Sequence, residues 1–405
     1  MISLGLLAAA TLLFPAGRLE ADQTLKLPDG TQRSFALHSM DAEGNLTGLK
    51  GGKKEIVKKG DWIRLGHPVA GSRLDSVLLR NGSAIACVVQ SLDQESIRIE
   101  SRLFSNRSLP TTAVVGILFR QSRDPLRRFQ AADKAFEIRS SAELALLNGD
   151  FVSGTLNSNT SRNALTLNIG SGGRTIPLDQ LAAIYLPRDI PSSPEPTPRK
   201  TASQIGFQDG SQIGYRNLTI RENELLFNLW EGLELTVPLR IRDQPVWKQV
   251  RYLQPALESC RWLNESETVR ITDSLSRTFL KTRWNRNAAN GPLLCQGQLF
   301  ERGLGTRPNS QVIHSVGPQD RKFRAELSLD DSAAELGNAT CRVALFTKDG
   351  KWKSVGKPLK ISRSSGLQKI EVEVSGCRAI GLVTTTGENG TVGGRVNWLD
   401  ARFHR

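Results

Sequence analysis

Five residues in two short stretches of this 405-residue chain could do recognition chemistry together: Glu301, Arg302 and Arg307 around Gly303-Leu304-Gly305-Thr306, and Asn397 with Trp398 in Val396–Phe403. An indole offers a flat face to the apolar side of a sugar ring. A carboxylate, an amide and guanidinium forks satisfy hydroxyls, and the forks take carboxylates or sulfates bidentately. The two glycines suit a strand that turns sharply or lets another backbone approach, so Glu301, Arg302 and Arg307 are expected at the rim of a sheet. The second stretch alternates Val396 and Trp398 with polar partners, as a half-buried last strand does, and Trp398 has an equal reading as core. Asp330-Asp331 is the weaker, metal-binding candidate. In a loop it would suit Ca2+, which takes about six to eight oxygens, against the alternative that the pair ends the Ser328-Leu329 strand and begins a turn.

Catalytic constellations are thin. No His-Glu-x-x-His, Gly-x-Ser-x-Gly or Walker loop occurs, and His38, His67, His314 and His404 stand singly in unrelated contexts. Cys87, Cys260, Cys295, Cys341 and Cys377 form no Cys-x-x-Cys pair, which leaves no zinc signature. For the last four, two disulfides in any of three connectivities and buried free thiols are both open. Paired carboxylates able to cleave a glycoside are not marked out by any spacing.

The elements that must position these residues are strands. Asp29-Gly30, Asn81-Gly82, Asn148-Gly149 and Asp209-Gly210 each sit between strand-like runs, a strong hairpin signal read here as a turn needing positive φ at both central positions. After each of the last three comes an aliphatic strand, Ile97–Ile99, Leu165–Leu167 or Leu225–Phe227, and then a Pro-containing strand near Pro110, Pro177 or Pro238. This internal repeat predicts small five-stranded, SH3-like or barrel-like β units. Asp124-Pro125 with Leu126, Phe129, Ala132 and Phe136 behind it predicts one helix near 124–137, Asp124 as N-cap. Pro187, Pro191, Pro194, Pro196 and Pro198 among Ser, Thr and charges predict an extended linker. Beyond Val250, seven strand-like runs, with clean alternation of Ile370, Val372 and Val374 against Glu371 and Glu373, predict a β-sandwich.

Composition agrees with an all-β protein of several domains: 39% hydrophobic and only 6% aromatic residues, with 36 Gly and 18 Pro. The apolar run Ile2–Phe14, followed by Leu19-Glu20-Ala21, is expected to be a secretion signal cleaved after Ala21, with a retained N-terminal anchor as its alternative. The net charge of +14 is scattered. Its dense clusters, Lys50–Lys59 and Arg120–Arg128, carry no interleaved stacking aromatics, so nucleic acid is not the expected partner. An acidic polysaccharide or an anionic cell surface fits an exported protein better.

The order Trp284-Asn285-Arg286-Asn287, Gly291-Pro292-Leu293, Glu301-Arg302-Gly303-Leu304-Gly305, Phe323-Arg324-Ala325 with Leu329-Asp330-Asp331, and Trp398-Leu399-Asp400-Ala401-Arg402 resembles the NPCBM family of carbohydrate-binding modules. The likeness covers Val250 to Arg405. It implies a jelly-roll sandwich that binds glycan at loops on one end, as an accessory domain and not a catalyst. Arg307 where the family often has His, and Arg395 in a stretch the family keeps acidic, make the rim more positive and imply acidic glycans. The expected layout is a signal over 1–21, three β units with the helix over 22–186, the linker over 187–203, a fourth unit over 204–249 and the sandwich over 250–405. The expected function is a secreted or cell-surface glycan-binding protein without a cofactor, Ca2+ excepted, whose N-terminal units serve as spacers or interaction modules. Two alternatives stand beside it: a glycan-acting hydrolase, and a structural protein whose sandwich makes protein contacts at the cell surface.

Overall fold

The computed structural model describes residues 23–50, 53–68, 74–119, 122, 124–157, 164–170, 172–188, 203–229, 232–273, 280–391 and 393–405. The expected signal and most of the Pro-rich stretch lie outside them. Among the described residues the chain is all-β with a single α-helix, Pro125–Lys134, whose N-cap Asp124 accepts a hydrogen bond from Leu126 N at 2.9 Å.

The four Asx-Gly turns are built alike. The glycine N–H donates to the carbonyl three residues back in each, as Gly30 does to Leu27 at 3.0 Å and Gly82 to Leu79 at 2.9 Å. Each Asx side chain accepts from the second backbone N–H after it, at 2.8 Å for Asp29, 2.9 Å for Asn81, 3.1 Å for Asn148 and 2.8 Å for Asp209. Only the glycines have positive φ, +83°, +84°, +94° and +95°. The expectation of two positive-φ positions is therefore corrected. These are turns closed by a single glycine in the left-handed region, with the Asx held by its own side-chain bond.

Each unit then follows one plan. The turn joins a first and a second strand, two or more short strands follow, a 3-10 turn comes next, and the unit's last strand pairs with its first. Thus Arg64–Gly66 pairs with Gln23–Lys26, Val114–Leu118 with Asp75–Leu79, Leu181–Tyr185 with Ala142–Leu146, and Val250–Gln254 with Ser203–Phe207. Closure onto the first strand protects both edges of a small sheet. The units also share edges: Ile117 lies opposite Ile184, Gln212 opposite Ala84 and Tyr252 opposite Gly66, so sixteen strands form one connected sheet over a common apolar core.

The C-terminal part is a sandwich. One sheet runs Arg283–Trp284, Gly303–Thr306, Val396–His404, Lys322–Leu329, Gln368–Glu373, with Cys260–Trp262 also on Val396–His404. The other runs Thr268–Asp273, Ser310–Ser315, Ala379–Thr386, Asn338–Phe346, Trp352–Ser362. Val312, Phe323, Leu327, Val343, Leu382, Trp398 and Phe403 fill the space between them.

The outward face of the first sheet lies against the N-terminal units. Lys26, buried to 1%, donates to Glu326 Oε2 at 2.6 Å and Asp400 Oδ2 at 2.8 Å, and Arg64 Nη1 stands 3.5 Å from the same Asp400 oxygen. Arg402 and Arg324 donate to Pro28 O, and Arg286 forms a two-pronged pair with Asp133 of the helix while its guanidinium lies 5.1 Å from the Phe129 ring. Burial alone would raise the Asp400 pKa, but Arg64, Lys26 and Arg402 outweigh it and hold the carboxyl far below the usual carboxylate range. Burial lowers Lys26 against its two carboxylates.

Removing one member of a buried ion cluster leaves the others uncompensated, at a cost of about 3–5 kcal/mol. Asp400→Asn is expected to shift the chemical-denaturation midpoint accordingly. Lys360→Ala, which removes an exposed partner of Glu388, is expected to leave it unchanged. Since the folded Asp400 pKa is depressed, its contribution is complete above the ordinary carboxylate pKa near about 4 and is lost as pH falls below it. The wild type and Asp400→Asn should therefore converge in stability in acid, which urea titrations at stepped pH will read.

Candidate functional site

The two stretches singled out in the sequence are neighbouring strands. Gly303–Thr306 runs antiparallel to Val396–His404, with Gly303 opposite Leu399, Leu304 opposite Trp398 and Gly305 opposite Asn397. The glycines are there for close approach: a Cβ on Gly305 would lie 2.3 Å from Arg286 O and 2.5 Å from Asn287 Cα. The expected sharp turn is thus a strand, crossed by the Trp284–Gly291 segment.

That segment is pinned by Asp330, which is fully buried. Asn287 Nδ2 donates to its Oδ1 at 3.0 Å, Asn397 Nδ2 to its Oδ2 at 2.6 Å, and Ser332 N to Oδ1 at 2.9 Å. Asn287 Oδ1 in turn accepts from Gly291 N at 2.7 Å and Ala289 N at 3.0 Å, which shapes the loop. Asp331 accepts from Gln296 N at 2.8 Å and Gly297 N at 2.7 Å. Both acids hold backbone in place. Among the described residues no group of three or more His, Cys, Asp or Glu is placed to hold a metal ion.

The five recognition candidates are distributed in depth. Arg302 is buried; its Nη1 donates to Glu265 Oε1 at 2.9 Å and its guanidinium lies 4.7 Å from the Trp262 ring. Arg307 is also buried, with Nε 3.9 Å from Asp273 Oδ1. Trp398 is 0% exposed, its Nε1 3.4 Å from Thr384 Oγ1. Asn397 faces Asp330, and Glu301 alone is half-buried. At the Arg307 end, Thr282 donates from N at 3.2 Å and Oγ1 at 2.8 Å to Asp273; farther along the same strands, where His314 pairs with Thr268, half-buried Trp284 meets His314 edge-on at 5.0 Å. A guanidinium, a carboxylate and a hydroxyl are therefore gathered at one end. Sequence reasoning missed Asp273 and Thr282, which come from the strand Thr268–Asp273 and the approach to Trp284; only pairing through Ser310–Ser315 and Gly303–Thr306 brings them near Arg307.

Burial sets the titration of three histidines and of Cys260. Burial, with Arg261 nearby, pushes His314 down to about 4; burial with Arg402 and Arg324 takes His404 to about 3, and burial with Arg64 takes His67 to about 4. Cys260 Sγ lies 3.4 Å from His404 Nδ1, yet burial raises the thiol while the imidazole is lowered, so this contact is a neutral one at pH 7. All five cysteines are free. Because these histidines are neutral in the fold and take protons more readily when unfolded, stability is unaffected above about pH 6.5 and falls as pH drops through the interval to about 4. Thermal melts from pH 7.5 to 4.5 should show Tm falling only below about 6.5, and His404→Gln should make that fall shallower.

Residues 257–404 match the NPCBM/NEW2 domain family. No curated protein matches the chain in sequence. Among solved structures, the chain is similar to a CBM51 module from a Clostridium perfringens family 95 glycoside hydrolase, solved with methyl-galactose, at 15% identity over 36% of this chain and 99% of that one, TM-score 0.31. It is similar to the tandem CBM51 modules of a family 98 glycoside hydrolase from Streptococcus pneumoniae at 13% identity, covering 94% of this chain and 88% of that one, TM-score 0.30. A CBM51 and INT domain pair of Clostridium perfringens ZmpB is similar at 16% identity over 50% of this chain and 40% of that one, TM-score 0.31.

Proposed function

We propose that this chain is an exported glycan-binding protein in which residues 257–404 form the binding module and the four N-terminal β units form its fixed support. The observation that carries this reading is the family match, which spans the sandwich from just before Cys260–Trp262 to the end of Val396–His404. The geometry adds that the matched motifs, Asn287, Asp330 and Asn397 among them, form one connected hydrogen-bond network inside that sandwich.

Glycan is held at the end of the sandwich where Arg307, Asp273 and Thr282 meet. Asn397 and Trp398 lie beneath on the neighbouring strand, whereas Glu301 and Arg302 stand at the opposite end of Gly303–Thr306. The Arg307 guanidinium favours acidic sugars over neutral ones. The hydrolase alternative is less well supported. Two carboxylates brought together, Glu326 and Asp400, share Lys26 and are sealed against the N-terminal units, where no substrate reaches them. Export follows from the apolar run Ile2–Phe14, and mass spectrometry of the native protein is expected to find an N-terminus near Asp22.

The test is a glycan panel probed with the whole chain, followed by calorimetric titration of the best ligand. The expected result is saturable binding that Arg307→Lys, which keeps the charge opposite Asp273 but loses the planar fork, weakens, whereas Arg307→Gln, at a buried residue, lowers both affinity and Tm. Binding to no member of a panel that spans neutral, uronic-acid and sulfated glycans would remove the reading.

A further inference from the structure

The sandwich has two outward faces, and they differ. That of the first sheet is sealed by the N-terminal units and by the hairpin Leu293–Cys295 and Gln298–Phe300. That of the second, formed by Thr268–Asp273, Ser310–Ser315, Ala379–Thr386, Asn338–Phe346 and Trp352–Ser362, is open to solvent along its length. On it lies Trp352, 44% exposed although it belongs to the largest side-chain type. Its six-membered ring leans across the strands over Gly381, where a Cβ would stand 3.2 Å from Cζ3 and 3.6 Å from Cη2. Phe346 supports it at 5.2 Å between centroids. Glycine at 381 lets the indole lie down on the sheet, and its upper face is left to solvent.

The register places the neighbours. Gly381 is flanked by Ile313 and Ala344, and Arg270 pairs with Ile313; the next outward row, two residues along and about 7 Å away, holds Gln311, Val383 and Arg342. The floor is small or apolar, and its borders carry an amide and two exposed guanidiniums. No ion pair is formed by Arg270 or Arg342 among the described residues, and none of the five strands turns an acidic side chain to this face. The only other charge on it, Lys360, is already paired with Glu388 at 2.9 Å.

We propose that this open face is a platform for a uronic-acid polysaccharide, with a pyranose ring stacked on Trp352 and ring carboxylates taken by Arg342 and Arg270. An aromatic plane without guanidiniums would suit a neutral glycan, and guanidiniums without the plane would suit any polyanion. Their juxtaposition fits a chain that is both ring-faced and acidic. The proposal rests on the glycan-binding reading and gives that module a second surface, away from its Arg307 end.

The experiment is calorimetric titration of the whole chain with polygalacturonate, dextran sulfate and neutral dextran, using wild type, Trp352→Ala, Trp352→Phe and Arg342→Ala, each checked for an unchanged Tm. The expected result is polygalacturonate binding weakened about tenfold by Trp352→Ala, largely kept by Trp352→Phe, and made weaker and less salt-sensitive by Arg342→Ala. Three results would overturn the platform: wild type that ignores polygalacturonate while binding another glycan of the panel, Trp352→Ala that binds as wild type does, and dextran sulfate bound as tightly and as indifferently to Trp352. A concentration-dependent dimer that Trp352→Ala abolishes would instead assign the face to a second copy of the chain. If wild type binds no glycan at all, the module reading falls with the platform.

Discussion

Lys26, from the first described strand, meets two carboxylates that lie 300 and 374 residues away in sequence, Glu326 and Asp400, and the cluster they form is buried. Taking such charges out of water costs several kcal/mol per ion. That cost is offset only if every member keeps its partners. Arg64 and Arg402 face Asp400 as well, so the cluster has a geometry with little slack, and it fixes how the sandwich sits on the N-terminal units. Around it, Arg402 and Arg324 satisfy Pro28 O, His67 meets Phe300 edge-on at 5.1 Å, and Arg286 grips Asp133. Within the sandwich apolar burial supplies the driving force, with the Arg302–Glu265 pair and the Asp330 hub buried beside it.

Seating the sandwich this way decides which of its surfaces are left for a ligand. The first sheet is covered on both faces at its centre, where Arg302, Asn397, Asp400 and Arg402 are buried and paired, while its Gln368–Glu373 edge stays exposed. The second sheet keeps one face wet. Its Trp352 and Arg342 stand where the support cannot cover them, and the end carrying Arg307 and Asp273 also lies away from the ion cluster. The four N-terminal units make one body: each pairs its last strand with its first, and neighbouring units share edges.

The residues that carry the family likeness are largely internal ones. Asp330 illustrates the point. Its carboxylate takes donors from Asn287, Asn397 and Ser332, drawing the segment after Trp284, the last strand and the Asp330–Ser332 turn to one spot.

Local chemistry determined much of this protein from the sequence alone. The Asx-Gly turns, the helix after Asp124-Pro125, the alternation of Ile370, Val372 and Val374, and the strands around Gln311, Phe323, Cys341 and Ala379 all follow from interactions within a few residues, which sequence displays directly. The likeness to carbohydrate-binding modules was legible too, because five motifs kept their order. The long strand Trp352–Ser362 was not: its exposed, Lys-rich and Pro-containing run has no clean period, and only pairing with Asn338–Phe346 makes it a strand. Nor could the sequence tell that Arg302 would turn inward to Glu265, that Asp330 would be an internal hub, or that Trp398 would be closed off while Trp352 stayed open. Burial of a polar or aromatic side chain is set by what packs on it from elsewhere in the chain. Here that was decided by two long-range facts, the pairing of Gly303–Thr306 with Val396–His404 and the docking of the sandwich through Lys26.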